Sequence, residues 1–164
     1  MTKIISLMSE HWPSVREIYL AGIAGGNATF ETQVPSWDAW DTRHLKFARL
    51  VAVINGEVKG WAALSPVSTR AVYRGVAENS VYVAADAQGQ GLGRRLLDAL
   101  IAESEVNGIW MLQTSIFPEN APSVRLHLSC GFREVGYRER IGQLNGVWRN
   151  TIFMERRSKT VGAG

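Results

Sequence analysis

Two stretches of this chain carry residue types and spacings that could do chemistry. The first is Gln88-Gly89-Gln90-Gly91-Leu92-Gly93-Arg94, with glycines at alternate positions. It follows Val81-Tyr82-Val83-Ala84, whose valines and tyrosine favour a half-buried strand. Beyond it, Leu92, Leu96, Leu97, Leu100 and Ile101 recur at helical spacing. A glycine turn feeding a helix leaves backbone N–H groups unshielded at the positive end of the helix dipole. That arrangement suits an anion, phosphate above all. A dinucleotide-binding turn needs glycine three residues after Gly91, where this chain has Arg94. A nucleoside-triphosphate loop needs Gly-Lys followed by Ser or Thr, which is absent. A turn that merely joins strand to helix would use the same glycines.

The second stretch runs Asn120-Ala121-Pro122-Ser123-Val124-Arg125-Leu126-His127-Leu128-Ser129-Cys130-Gly131-Phe132. Asn120 reads as the cap of a short helix and Gly131 as its left-handed stop, with Phe132 folding back as an anchor. On that helix His127 is either a proton donor or a satisfied core histidine. Upstream, Glu78 enters the strand that contains Val81, as a general base or as a strand-edge carboxylate. Arg70, Tyr73 and Arg74 precede it on a loop. Their guanidinium groups offer a planar fork to an acidic partner, or else stand in solvent.

The elements that must position these residues follow from pattern. Lys3 to Met8 predicts a strand. Ser9 is expected to cap a helix that buries Val15, Ile18, Tyr19 and Ile23 and ends at Gly25-Gly26. A loop through Thr29, Phe30, Glu31 and Thr32 is either a connection or one wall of a pocket. Ser36 caps a second helix expected to reach Leu45, and its tryptophans read as packing residues. Strands at 48–54 and 58–66 meet at Asn55-Gly56, and strands at 133–143 and 147–156 at Asn145-Gly146. An Asn-Gly pair between apolar runs is a hairpin signal. Strands at 77–84 and 109–117 flank the glycine-turn helix, which makes them parallel neighbours. The fold class is therefore α/β, a mixed and mostly antiparallel sheet with one central parallel pair and flanking helices. Residues 1–157 read as a single domain and 158–164 as a frayed tail.

At 164 residues, 46% hydrophobic and 20% charged, the chain has the composition of a soluble globular domain. The single cysteine, Cys130, excludes an internal disulfide and reads as a buried thiol. His11, His44 and His127 are scattered without metal-ligand spacing, so no metal is expected. A net charge of +3 with dispersed basic residues argues against nucleic acid as a partner. No apolar run is long enough to cross a bilayer, and no secretory pattern opens the sequence, so the expected location is cytoplasmic.

Gln88-x-x-Gly91-x-Gly93 resembles the pyrophosphate loop of the GNAT N-acetyltransferase superfamily. The segment from Asn120 to Phe132 resembles that family's Asn-x-x-Ser/Ala-x-x-Leu-Tyr/His-x-x-x-Gly-Phe motif, about thirty residues on. Tyr73-Arg74 followed by Glu78-Asn79-Ser80-Val81-Tyr82-Val83 is similar to the phosphinothricin and methionine sulfoximine acetyltransferase branch, as is His127 where most relatives place tyrosine. The Phe30 loop matches that branch only loosely, and Gln88 replaces the commoner arginine.

The resemblance implies acetyl-coenzyme A in a cleft where the two parallel strands splay. Backbone groups of Val81, Tyr82 and Val83 would meet the pantetheine arm, with the Val83 N–H on the thioester carbonyl. Amides of Gln88, Gly89, Gln90, Gly91, Leu92, Gly93 and Arg94 would hold the pyrophosphate, and Asn120 and Ser123 would touch the pantetheine side. A free α-amine has a pKa of about 8, so a base must take its proton. Glu78 is the expected base and His127 an acid or positioning group. Phe30, Arg70, Tyr73 and Arg74 would bind the acceptor. The implied reaction is acetyl transfer to the α-amine of a small glutamate mimic, by a homodimer. A peptide N-terminal acetyltransferase and a noncatalytic acyl-coenzyme A sensor are the rivals.

Overall fold

Asn55 and Gly56 both take left-handed backbone, with φ of 50° and 84°, as a tight two-residue hairpin demands. They join β2 (Leu50–Ile54) to β3 (Glu57–Pro66). Asn145 and Gly146 repeat the device between β6 (Arg133–Leu144) and β7 (Val147–Arg157). With β1 (Thr2–Ser6), β4 (Val76–Val83) and β5 (Met111–Ile116), these strands form one sheet in the order β1-β2-β3-β4-β5-β7-β6. Every neighbouring pair is antiparallel except β4 and β5. The computed structural model describes residues 1–164.

The parallel pair is short. Its rungs are Val76↔Met111, Ala77↔Leu112 and Glu78↔Gln113, and there pairing stops. Past that point β4 stays with β3 as far as Gly60↔Val83, whereas β5 stays with β7 as far as Ile116↔Ile152. Each strand follows its antiparallel partner, and a wedge opens between them.

Four helices cover the sheet: α1 (Trp12–Ala24), α2 (Trp37–Arg43), α3 (Leu92–Val106) and α4 (Ala121–Ser129). On one face Leu96, Leu97 and Leu100 of α3 bury against Ala62, Leu64 and Leu112 of the sheet. On the other, α1 and α2 bring Val15, Tyr19 and Trp40 onto Val51 and Trp61. Gly22 permits the closest approach of α1, because a Cβ there would lie 2.8 Å from the Tyr82 ring.

Three local expectations are corrected. Ser9 does not cap α1: it lies inside a 3-10 turn, Ser9–His11, where the Met8 N–H donates to His11 Nδ1 at 2.9 Å. The second helix stops at Arg43 rather than Leu45. The His44 ring stacks on Trp40 and its Nδ1 donates to the Trp40 carbonyl at 2.7 Å, while the Leu45 N–H turns to Leu64 O. The tail from Ser158 folds back instead of fraying. Ser158 is buried, its N–H donates to Trp110 O, its hydroxyl donates to Glu105, and the Arg157 guanidinium gathers the carbonyls of Val161 and Gly162.

Candidate active site

The wedge opens into a cavity of about 300 Å³. Its walls are Glu78 to Tyr82 on β4, Thr114 to Phe117 on and after β5, Asn120, Ser123 and His127 around α4, Thr151 on β7, and Asn27 to Glu31 on the loop after α1. A second hollow shares Thr29, Glu31, Glu78, Ser80 and Tyr82 with it and extends to Arg43 and His44. Glu78 stands where the two hollows meet.

Glu78 keeps contact with solvent, yet partial desolvation by these neighbours pushes its carboxyl above the usual carboxylate range, and a hydrogen bond from Gln113 and the charge of Arg138 pull it part of the way back. Glu78 thus holds a proton more readily than a fully solvated glutamate. That is what a base for an amine requires.

His127 is 4% exposed. Its Nδ1 lies 2.7 Å from the Ser123 carbonyl oxygen, which can only accept, so the ring proton is on Nδ1. Nε2 is therefore a bare acceptor, and it takes the Asn79 Nδ2–H at 3.0 Å. Burial pushes the imidazole pKa down, offset in part by the bond to Ser123, so the neutral form prevails. This histidine therefore has no proton on the side that faces β4.

Backbone direction sorts the strand residues. The Ala84 N–H donates to Lys59 O on β3 at 2.8 Å. By alternation, the N–H groups of Val83 and Val81 point away from β3 into the wedge, whereas that of Tyr82 points toward β3. Tyr82 contributes its ring instead, stacked on Trp61 at 4.8 Å. At the outer end of β4, Gly89 and Gly91 take left-handed φ of 76° and 78°, and a Cβ on either would meet nothing within 4 Å. The approach to their backbone is open, and Gly91 caps α3. Gly93 serves packing, since a Cβ there would touch Leu126 at 3.3 Å. The Gln88 Nε2–H donates to Val83 O at 3.4 Å, Gln90 reaches Asp86 O at 3.5 Å, and Arg94 pairs with Asp98 at 3.3 Å.

The structure brings Phe30, Glu78, Val81, Tyr82, Asn120, Ser123 and His127 to one cavity. It does not bring Arg70, Tyr73 or Arg74 there. Arg70 lies over the Tyr73 ring and Arg74 over Trp110, each at 5.4 Å, at the paired end of β4 away from the wedge. Arg74 also donates to Ala71 O. A pocket walled jointly by Phe30, Tyr73 and Arg74 is thereby corrected. The Asn120 side chain is occupied too, accepting from the Ser123 N–H and donating to Asn27 O at 3.1 Å.

Sequence reasoning missed three contributors: Asn79, Thr151 and Arg149. A signal existed for Asn79, a polar residue on the strand face otherwise occupied by Ala77, Val81 and Val83. The Arg149 guanidinium donates to Gly26 O at 2.9 Å and Asn27 Oδ1 at 2.8 Å, fastening the loop that carries Phe30. Phe30 in turn meets Phe117 edge-on at 4.8 Å.

Comparison with known proteins agrees with this architecture. The acetyltransferase (GNAT) family profile matches residues 7–132. A phosphinothricin N-acetyltransferase from Alcaligenes faecalis is 35% identical over 151 residues, covering 88% of this chain and 76% of the relative. An L-methionine sulfoximine/L-methionine sulfone acetyltransferase from Pseudomonas aeruginosa is 34% identical, covering 87% of each. The crystal structure of a phosphinothricin acetyltransferase from Sinorhizobium meliloti, in complex with AcCoA, superposes with a TM-score of 0.90 at 28% identity over 99% of this chain and 91% of that one. The wedge, the glycine turn at its mouth and the family match agree, and this chain belongs to the GNAT family of acetyltransferases.

Proposed function

We propose that this enzyme transfers the acetyl group of acetyl-coenzyme A to the α-amine of a small amino-acid analogue, phosphinothricin or methionine sulfoximine in type, and so detoxifies it. The observation that carries the reading is a glutamate of raised pKa in a cavity that opens off a broken parallel strand pair. The names of the relatives support the acceptor class.

The residues present fit the cosubstrate, which supplies an activated acetyl thioester. Exposed amides at Gly89 and Gly91, beside the α3 N-terminus, suit a pyrophosphate, with Gln88, Gln90, Leu92, Gly93 and Arg94 framing them. The inward N–H groups of Val81 and Val83 suit the pantetheine arm and the thioester oxygen, where a fixed donor stabilises the charge that develops on attack. Ser123 lines the same side. Glu78 takes the amine proton, directly or through a water. His127 keeps its own proton on the Ser123 carbonyl and acts by position.

Two further parts belong to the proposal. Tyr137, Ile141, Val147 and Trp148 are exposed on the hairpin of the edge strand β6, and we assign that surface to a second copy in a homodimer. A cytoplasmic location is supported by the free, buried Cys130. No helix is long and apolar enough to cross a membrane.

A thiol-release assay with acetyl-coenzyme A across a panel of amines tests the reaction. Phosphinothricin and methionine sulfoximine are expected to exceed glutamate and peptide N-termini in kcat/KM. A preference for peptides overturns the acceptor class, and coenzyme A binding without turnover on any amine leaves a sensor.

A further inference from the structure

Apart from Arg43 and Arg125, every arginine of the chain has a carboxylate, a carbonyl oxygen or an aromatic ring as partner. Arg125 is exposed on α4 and borders neither hollow. Arg43 borders the second hollow, of about 370 Å³, together with Tyr19, Glu31, Ser65 and Glu78. It is the last residue of α2, and the acid nearest to it in sequence is already spent: Asp41 pairs with Arg49 and Lys46. The backbone beyond it is fastened. The His44 ring stacks on Trp40, and the Leu45 N–H donates to Leu64 O at 2.8 Å.

Strand register ties that fastening point to the base. Leu64 stands opposite Asn79 and Ser65 opposite Glu78, so the end of α2 is held beside the rung that carries Glu78. The faces agree as well. Ala77, Val81 and Val83 turn to the α3 core, whereas Tyr82 turns to the packing under α1 and α2. By alternation Glu78 and Ser80 share the Tyr82 face, and Ser65 shares that of Trp61 and Ala63. Arg43 and Glu78 thus border one hollow on one face of the sheet. The arginine whose charge acts on Glu78 is Arg138, so Arg43 stands off across the hollow rather than beside the base. Burial raises the Tyr19 pKa, Glu31 raises it further and Arg43 lowers it, so both charges are felt at that hydroxyl. His44 adds no competing charge, because burial pushes its pKa down.

The hollow therefore carries two carboxylates and a single guanidinium that no group of the protein neutralises. That pattern complements a molecule with an amine at one end and an anion at the other. On the functional reading above, Glu78 takes the proton of the α-amine, which puts the amine end of the acceptor at Glu78. We propose that Arg43 receives the oxygens at the far end of the acceptor side chain, a tetrahedral oxyanion such as a phosphinate. The inference rests on that reading. A guanidinium offers such a group two parallel N–H donors, which an ammonium cannot. The role expected of Arg74 thereby falls to Arg43.

Arg43→Gln tests this with phosphinothricin, methionine sulfoximine and norleucine, which share the α-amine and α-carboxylate and differ at the side-chain end. The KM of phosphinothricin should rise by roughly tenfold to a hundredfold, the loss expected for a charge-assisted pair. Methionine sulfoximine, polar but uncharged at its end, should lose less, and norleucine nothing. Calorimetric coenzyme A affinity should stay unchanged. Arg43→Lys should recover part of the loss, since a point charge replaces the fork, and it serves in place of the glutamine variant should that one not fold. An equal rise for all three acceptors moves the guanidinium to the α-carboxylate and overturns the proposal. Weakened coenzyme A binding with unchanged acceptor KM values assigns Arg43 to the cosubstrate and overturns it. Unchanged constants with a lowered Tm leave Arg43 as a cation at the negative end of α2 and overturn it too. A wild-type enzyme that acetylates no amine sinks the functional reading and this inference together, whereas normal wild-type turnover with an indifferent Arg43→Gln sinks this inference alone.

Discussion

The Arg149 guanidinium carbon lies over the Phe117 ring, 3.9 Å from its centroid, while the group donates to the loop after α1. One side chain of β7 therefore holds both the strand end and the wall that carries Phe30. Most of that side chain is buried, so its hydrogen bonds are not exchanged freely with water. Arg149→Ala should destabilise the fold by about 2 kcal/mol, since the Gly26 carbonyl and the Asn27 amide lose their donor. Chemical denaturation reads the loss, and Arg149→Lys should restore only part, because an ammonium cannot stack and fork at once.

Glu78→Gln keeps the size of the side chain and removes the proton acceptor. Turnover should fall by roughly 10²-fold or more, with coenzyme A affinity unchanged. The wild-type kcat/KM should lose activity as pH falls through a pKa above the ordinary carboxylate range, the direction burial imposes. The stability sign is opposite to that of a paired carboxylate. The folded state binds this proton more tightly than the unfolded one, so wild type loses stability as pH rises from the ordinary glutamate pKa through the raised one. Melting curves of Glu78→Gln should lack that dependence. Near-normal turnover at neutral pH in this variant would reassign the base.

Gly91→Val should abolish coenzyme A binding, because the branched side chain stands where the backbone is otherwise open to an anion. At φ of 78° the substitution also carries about 1–2 kcal/mol of left-handed strain. Circular dichroism must therefore accompany calorimetry. Unchanged affinity in a folded variant removes the glycine turn from the site.

Arg74→Ala separates the loop before β4 from the cavity. Arg74 packs on Trp110 rather than in the wedge, so every acceptor should keep its rank in kcat/KM. A selective loss for phosphinothricin-like acceptors would show that the loop reaches them during turnover.

What the sequence made legible was local. Asn55-Gly56 and Asn145-Gly146 announce their hairpins because the pair itself adopts the turn, and Gln88-x-x-Gly91-x-Gly93 announces an open turn at the head of α3 because its glycines make that turn. Motif spacing singled out Glu78 and His127, and both line the same cavity. What stayed hidden depends on partners far along the chain. Asn79 and His127 are 48 residues apart, and Arg149 and Gly26 are 123 apart. Nothing near Ser158 announces Glu105, so the tail read as loose. His44 ends its helix early because its ring finds Trp40, a contact that helical periodicity does not register.

The wedge has a mechanical consequence. With only three parallel rungs between them, β1 to β4 and β5 to β7 are two plates on a narrow seam. Helix α3 rides on the first plate, and α4 leans on β6 of the second. The bond from Asn79 to His127 is a rivet across the gap. A molecule seated in the wedge touches both plates and acts as a missing strand, so occupancy should slow amide exchange in the sheet well beyond the residues it contacts.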